Sequence, residues 1–281
     1  MEIDNNKLKL AVQKDGRLTE ETFSFLKSAG LEFESYQRRL FSSCRNFPLE
    51  ILYLRDNDIP KYVEEGSVDL GIIGQNLLFE KKPKVKKLLN LRFGYCSLVL
   101  AVPRDSDIKY LKDLTNLVIA TSYPNSTRRY LSKNNIDAEI ITISGSTEIA
   151  PILGISAAVV DLTSTGNTLF LNDLKVLDKL YDSEAVLIAN QKSVTGKNNL
   201  SEVESLLARF KAVLSAKNQK YVMINLPKDS LPKLRKLLPT VKDSSFYSGI
   251  VKEDYLWEIF VKIKNLGATN IVVLPVEKLI S

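Results

Sequence analysis

Residues 157–169 read AAVVDLTSTGNTL. An apolar, β-branched run reaches a single carboxylate at Asp161, then gives way to hydroxyls gathered around Gly166. The pattern predicts a strand, a tight turn and a short helix starting near Gly166. The same unit recurs along the chain. LKLAV (8–12), LEILYL (49–54), LGII (70–73), CSLVLAV (96–102), LVIAT (117–121), AEIITI (138–143) and AVLIA (185–189) all read as strands. Between them lie helical signals: Thr19 to Ala29, Asp58 through Pro60 to Gly66, and segments near 125–134 and 146–153. Such alternation predicts α/β architecture with largely parallel sheets.

The chemistry of the turn follows from helix physics. Amides at a helix N-terminus are unpaired and carry partial positive charge. Gly166 lets a ligand approach the backbone, and the threonine and serine hydroxyls add donors. This suits a phosphate monoester. Asp161, at the carboxyl end of its strand, is placed to accept hydrogen bonds from sugar hydroxyls. The pair fits a ribose 5-phosphate. A capped turn with surface threonines fits the spacing equally well, and spacing alone leaves both open.

Composition narrows the classes. The 281 residues allow two or three domains, and 44% hydrophobic with 26% charged is a globular balance. No apolar run reaches the ~20 residues that cross a bilayer. MEIDNNKLKL lacks a signal-peptide layout. Cys44 and Cys96 show no paired spacing. A reduced, cytoplasmic protein with no membrane partner is expected. The net charge of +6 suits an anionic ligand, though dispersed lysines also serve solvation. KKPKVKK (81–87) has no interleaved aromatic residue, so it reads as a solvated loop and no nucleic-acid partner is expected. There is no histidine. Ser-His-Asp and Cys-His catalysis and His-ligated zinc are therefore excluded.

A second regime starts near Asn199. Ser201 and Glu204 have capping-box spacing, and Val203, Leu206, Leu207, Phe210, Val213 and Leu214 line one helix face. KYVMINL (220–226) and NIVVLP (270–275) read as strands, SLPKLRKLL (230–238) and DYLWEIFVKIKNL (254–266) as helices. This is a small appended α+β module.

The strand, acidic residue and T-G-x-T-L turn resemble the phosphoribosyl-diphosphate (PRPP) loop of the ATP phosphoribosyltransferase family. Six further blocks match that family in order: LAVQKDGRL (10–18), LRDNDIP (54–60), VDLGIIGQNLL (68–78), IATSYPN (119–125), SGSTEIAP (144–151) and LGATNIVVLPVEK (266–278). The resemblance covers essentially the whole chain, and the C-terminal module makes it similar to the long form. The blocks also have readings of their own. Lys14 and Arg17 flank Gly16 at a strand–helix turn and can grip pyrophosphate oxygens. Arg55 follows another strand; Asp58 also reads as an N-cap. Asp69, Gly71 and Gly74 surround a buried strand. Tyr123, before Pro124, can stack on a purine or pack. Glu148 stands in a helix's first turn.

The resemblance implies phosphoribosyl transfer from PRPP to N1 of ATP, the first step of histidine biosynthesis, with magnesium carried by the substrate. It implies catalytic roles for Lys14, Arg17, Asp161 and Glu148. It assigns PRPP binding to Asp161, Thr163, Ser164, Thr165, Gly166, Asn167, Thr168 and Leu169. ATP binding falls to Arg55, Asp69, Gly71, Gly74 and Tyr123. No protein ligand to the metal is named. The implied fold is a two-lobed core like a type II periplasmic binding protein plus a ferredoxin-like regulatory domain. Lobe I takes residues 1–95 and 180–202, lobe II 96–179, and the regulatory domain 203–281. Histidine as an allosteric inhibitor and a homo-oligomer, dimer or hexamer, are implied as well.

Two departures stand out. Ala157 replaces an Asp usual in the family, and the stretch between Pro239 and Asp254 is short. A ferredoxin-like module needs two strands between its helices, so a trimmed regulatory sheet is expected. The competing class is a non-catalytic two-lobed binding or regulatory protein for an anionic metabolite.

Overall fold

A computed structural model describes residues 7–34, 40–164, 166–195, 200–227, 230–238 and 247–280. It divides into two units, Met1–Ser24 with Glu32–Val203, and Phe25–Leu31 with Glu204–Ser281.

The first unit holds two sheets. Its chain runs β1 (Leu8–Gln13), α1 (Thr19–Ser28), β2 (Phe41–Ser43), β3 (Leu49–Leu54), α2 (Ile59–Glu65), β4 (Leu70–Gly74), α3 (Gln75–Lys81) and β5 (Lys86–Asn90). It then enters the second lobe with β6 (Cys96–Pro103), β7 (Val118–Thr121), α4 (Pro124–Lys133), β8 (Glu139–Thr142), β9 (Ala158–Thr163), α5 (Asn167–Leu171) and β10 (Leu174–Ser183). Finally β11 (Ala185–Ala189) and α6 (Gln191–Thr195) return to the first lobe. Sheet order is β2-β3-β1-β4-β11-β5 in the first lobe and β10-β6-β9-β7-β8 in the second. The chain passes between sheets twice, after Asn90 and at Glu184.

Largely parallel sheets were the expectation; the sheets are mixed. β1 pairs in parallel with β3 and β4, and β7 with β8 and β9. β11 runs antiparallel to β4 and β5, and β6 antiparallel to β9 and β10. The reason is connectivity: the strands that carry the chain between lobes enter each sheet without a crossover helix, so they must run against their neighbours.

Apolar runs without alternation mark strands covered on both faces. In the second lobe Leu98, Leu100, Val102 and Val160 pack on one side of the sheet, Val99, Ala101, Val159 and Leu169 on the other. In the first, Ala11, Ile73, Val186 and Ile188 bury against Ile59 and Val63 of α2.

Several local expectations change. Asp58 occupies the N-cap of α2 but makes no side-chain cap bond. The helix expected near 146–153 is a 3-10 turn at Thr147–Ile149. The run KKPKVKK is a loop only in its middle, since Lys81 ends α3 and Lys86–Lys87 open β5. Ala157 donates its amide to the Val118 carbonyl at 2.9 Å, a backbone bond that opens the β7–β9 ladder and needs no carboxylate.

In the second unit, α7 (Leu200–Ala216) starts at Leu200, so Ser201 lies inside the helix rather than at its cap. There follow β12 (Gln219–Asn225), α8 (Leu231–Leu237), β13 (Tyr247–Lys252), α9 (Leu256–Asn265) and β14 (Thr269–Pro275). β12 lies between β13 and β14, both antiparallel to it. Val222, Ile224, Leu234, Val251, Leu256 and Ile263 form the core. Among the described residues one strand, β13, stands between α8 and α9. Residues 239–246 of the short segment lie outside the described residues.

Candidate active site

Ligands of open α/β sheets sit beyond the carboxyl ends of the parallel strands. In the first lobe β1, β3 and β4 end at Gln13, Leu54 and Gly74. Lys14 continues from β1, its amide bonded to the Leu54 carbonyl at 2.8 Å. Its side chain shares a cavity of about 520 Å³ with Asp15, Arg55, Asp56, Asn57 and Asp58. Two cations and three carboxylates thus meet at the ends of β1 and β3.

The QKDGR turn has a steric cause. Gln13 folds its side chain into the space a Cβ at Gly16 would fill, and Gly16 has φ +136°. Gln13 Oε1 then accepts the Leu18 amide at 3.1 Å, feeding α1. The turn presents Arg17, whose Nη1 donates to the Gly94 carbonyl at 2.5 Å. Arg17 is thereby anchored to the segment that leaves the first lobe. Its Nη2 also lies 3.5 Å from where a Gly74 Cβ would sit.

In the second lobe, Tyr123 precedes Pro124 and stands at the N-cap of α4. Its amide donates to Thr121 Oγ1 at 2.9 Å, and its carbonyl accepts the Thr127 hydroxyl at 2.8 Å. The hydroxyl is pushed well above the usual phenol range. Burial is the main cause, the carboxylates of Asp161 and Asp56 add to it, and Arg17 opposes it. This tyrosine therefore feels groups from both lobes. Its ring is partly buried against the second lobe's core.

Asp161 lies in β9, paired with Val99 of β6. Burial raises its pKa from 3.8 to about 6; the Leu162 amide, donating to Oδ1 at 2.7 Å, works against the rise, and Glu148 adds to it. Glu148, half-buried in the Thr147–Ile149 turn, is thus in the field of Asp161. Beyond β9 the turn closes on itself: the Gly166 amide donates to Thr163 Oγ1 at 2.8 Å. Gly166 is the N-cap of α5, at φ 76°. A Cβ there would meet nothing within 4 Å, so the approach to the α5 amides is open.

Lys14, Arg17, Arg55 and Gly74 thus gather at the strand ends of the first lobe, and Tyr123, Glu148, Asp161 and Gly166 at those of the second. Asp69 and Gly71 do not join them. Asp69 precedes β4, at the opposite end of that strand from Gly74. Its carboxylate accepts the Lys9 amide at 2.9 Å and the Ser193 hydroxyl at 2.8 Å. Gly71 is a packing position; a Cβ would lie 2.8 Å from Ile59 Cγ2. Ser164 is exposed, whereas Leu169 is buried in the lobe's core and offers a ligand only its backbone. Thr165 lies outside the described residues, and Asn167 and Thr168 contribute their place in α5 alone.

Asp56, Asn76 and Glu80 were not singled out by their sequence. Asn76 and Glu80 are buried polar residues four apart on a two-turn helix, and that spacing is the signal that could have marked them.

Two family models match the chain. The model for ATP phosphoribosyltransferase covers residues 55–212, and that for the C-terminal domain of the same family covers 216–278. The chain belongs to the ATP phosphoribosyltransferase family. Relatives of that name include one from Cytophaga hutchinsonii, 42% identical over 97% of this chain and 98% of its own length. Another, from Methanosarcina mazei, is 36% identical over 97% and 99%. The ATP phosphoribosyl transferase (HisG:HisZ) complex from Thermotoga maritima contains a chain that superposes with a TM-score of 0.62 at 31% identity, over 73% of this chain and 98% of its own. The substrate-binding protein of an amino-acid ABC transporter superposes at 0.50 with 17% identity, over 74% and 93%, and supports the two-lobed fold alone. As an ATP phosphoribosyltransferase with a C-terminal domain, this is a long-form enzyme that opens histidine biosynthesis, not a passive trap for an anionic metabolite.

Proposed function

We propose that the enzyme binds PRPP on the β9–α5 turn and ATP across the two lobes, and joins N1 of adenine to C1 of the ribose with loss of pyrophosphate. The observation that supports it most directly is that Tyr123, at the strand ends of the second lobe, accepts a hydrogen bond from Asn76 of the first at 3.4 Å.

Each group has a role its surroundings support. The amides opening α5 and the turn residues Thr163 to Thr168 hold the 5-phosphate. Asp161 accepts from the ribose hydroxyls when ionised, and Glu148 is the nearby second acid. Lys14, Arg17 and Arg55 take the departing pyrophosphate, whose charge grows as the C1–O bond breaks. The ribose passes through oxocarbenium character, so catalysis is positioning and charge stabilisation. N1 of adenine carries its own lone pair, and no general base is required. Tyr123 borders the adenine. Asp69 and Gly71 are left to the scaffold.

Magnesium arrives bound to the substrate. Lys14 and Arg55, in the cavity they share with Asp15, Asp56 and Asp58, would hold the pyrophosphate of a magnesium-loaded substrate, the metal supplying charge neutralisation when bound. Histidine binding to the C-terminal unit, assembly into dimers or hexamers and a cytoplasmic location complete the proposal. Among the described residues no helix is long and apolar enough to cross a membrane.

The direct test mixes the enzyme with ATP, PRPP and magnesium and follows the phosphoribosyl-ATP chromophore. Turnover that stops on chelation and returns with magnesium supports the proposal; absent product at every enzyme concentration removes it. Calorimetric titration with histidine, repeated on a form truncated after residue 203, tests the regulatory part.

A further inference from the structure

Glu80 belongs to the first lobe by sequence and to the second by its bonds. It lies in the last turn of α3, yet its Oε1 accepts the Asn125 amide at 2.8 Å and its Oε2 the Ser126 amide at 2.8 Å. These are first-turn donors of α4, a helix whose own N-cap residue, Tyr123, supplies no side-chain cap. The orphan amides and positive dipole end of α4 are therefore satisfied by a carboxylate from the facing lobe. Glu80 is 8% exposed, so water does not replace it when it is lost.

The surrounding contacts bind the same two elements. Asn76, one turn earlier in α3, donates to the Tyr123 hydroxyl at 3.4 Å. Arg129 of α4 donates to the Phe79 carbonyl. The Phe79 ring meets Tyr181 edge-on at 4.6 Å, and Tyr181 in turn donates to Ser126 Oγ at 3.2 Å. Two strand crossings alone would leave a hinge; this contact adds a third connection, one that ends on the residue beside the cleft.

We propose that Glu80 is a positioning residue for phosphoribosyl transfer. By capping α4 from the other lobe it sets the angle between the lobes, and with it the distance of Tyr123 from Arg17 and Asp56. The statement about Tyr123 rests on the proposed adenine site; the statement about the lobe angle does not.

Glu80→Gln keeps the shape, leaves one acceptor and turns an amide N–H₂ toward the other donor. Spin labels at exposed Lys61 and Lys109 report the lobe separation, since Cys44 and Cys96 are buried. The expected result is a broadened distance distribution and a fall of about tenfold in kcat/KM for ATP per folded molecule. Glu80→Asp, which keeps the charge, recovers part of the rate. An unchanged distribution with unchanged kinetics overturns the proposal, as does a loss of rate no larger than the loss of folded protein. Tyr123→Ala separates the two statements. If it leaves KM for ATP unchanged while Glu80→Gln still broadens the distribution and slows turnover, the lobe latch stands and the adenine assignment falls.

Discussion

Thr163 Oγ1 and the Gly166 amide are joined at 2.8 Å, so the turn ahead of α5 is closed by its own side chain. A threonine in this role fixes the backbone that a phosphate would meet. It also uses the Gly166 amide, which leaves the next amides of α5 for the ligand. Thr163→Val removes the acceptor and keeps the shape. KM for PRPP should rise about tenfold with kcat little changed, the cost of one lost hydrogen bond at a binding turn. Initial rates at varied PRPP and saturating ATP check this.

Asp161 carries a pH dependence with a definite sign. Its pKa lies at about 6 in the fold against 3.8 in the reference state, with burial the main cause. Between those values the folded state binds more protons than the unfolded one. The stability this group contributes is therefore full below 3.8, falls as pH rises toward about 6, and is gone above it. Activity runs the other way, because the ionised form accepts from the ribose. kcat/KM for PRPP should climb through an apparent pKa near 6 and level off above it. Asp161→Asn should flatten that limb at a much lower rate, and should melt a few degrees higher than the parent at pH 8 but not at pH 4. A parent profile flat across this range counts against the assignment.

Arg17 tests the leaving-group side. Its Nη1 is bonded to the Gly94 carbonyl, which aims the rest of the fork. Arg17→Lys keeps the charge but loses the planar, anchored donor set. kcat should fall roughly 10²-fold while the melting temperature moves little, because the side chain is exposed. Inhibition by added pyrophosphate, measured in parallel, should weaken in the variant.

Gly71 and Asp69 should behave as scaffold. Gly71→Ala forces a methyl to 2.8 Å from Ile59 on α2 and should cost about 1–3 kcal/mol in chemical denaturation. Asp69→Ala strands the Lys9 amide and Ser193 hydroxyl, and should cost about 1–3 kcal/mol. In both, kcat/KM for ATP per folded molecule should match the parent. A selective rise in KM for ATP without destabilisation would return these residues to the site.

The sequence carried the strands that are buried on both faces, because their apolar runs need no context. It carried the β9–α5 turn too, because an apolar run giving way to hydroxyls around Gly166 marks the end of a strand and the start of a helix whatever the turn binds. β10 was not legible. LKVLDKLYDS, Leu174–Ser183, is mostly half-exposed, with bulges against β6 at Val176/Asp178 and Lys179/Tyr181 that break its alternation. β2, at three residues, is too short to show any period. At the site the motif glycines were visible but not their reasons. Gly16 yields to the Gln13 side chain and Gly71 to a helix, and both partners are fixed only once the chain is folded. Glu80 was hidden for the same reason, since its bonding partners lie 45 and 46 residues away in a different sheet's helix.

The place of β11 sets the order in which the molecule can be made. This strand lies between β4 and β5, and β5 joins the sheet through β11 alone. Yet β11 is Ala185–Ala189, encoded after every strand of the second lobe. A nascent chain emerging from the ribosome can pair β1, β3 and β4 early, but β4 must wait with one edge open until more than a hundred further residues have been translated. At about 5–20 residues per second that interval is several seconds or longer. Throughout it the strand LGIIG, every residue of which ends up buried, presents an unpaired apolar edge. The second lobe, continuous in sequence, can complete itself first, so the lobe that begins the chain is the later of the two to close.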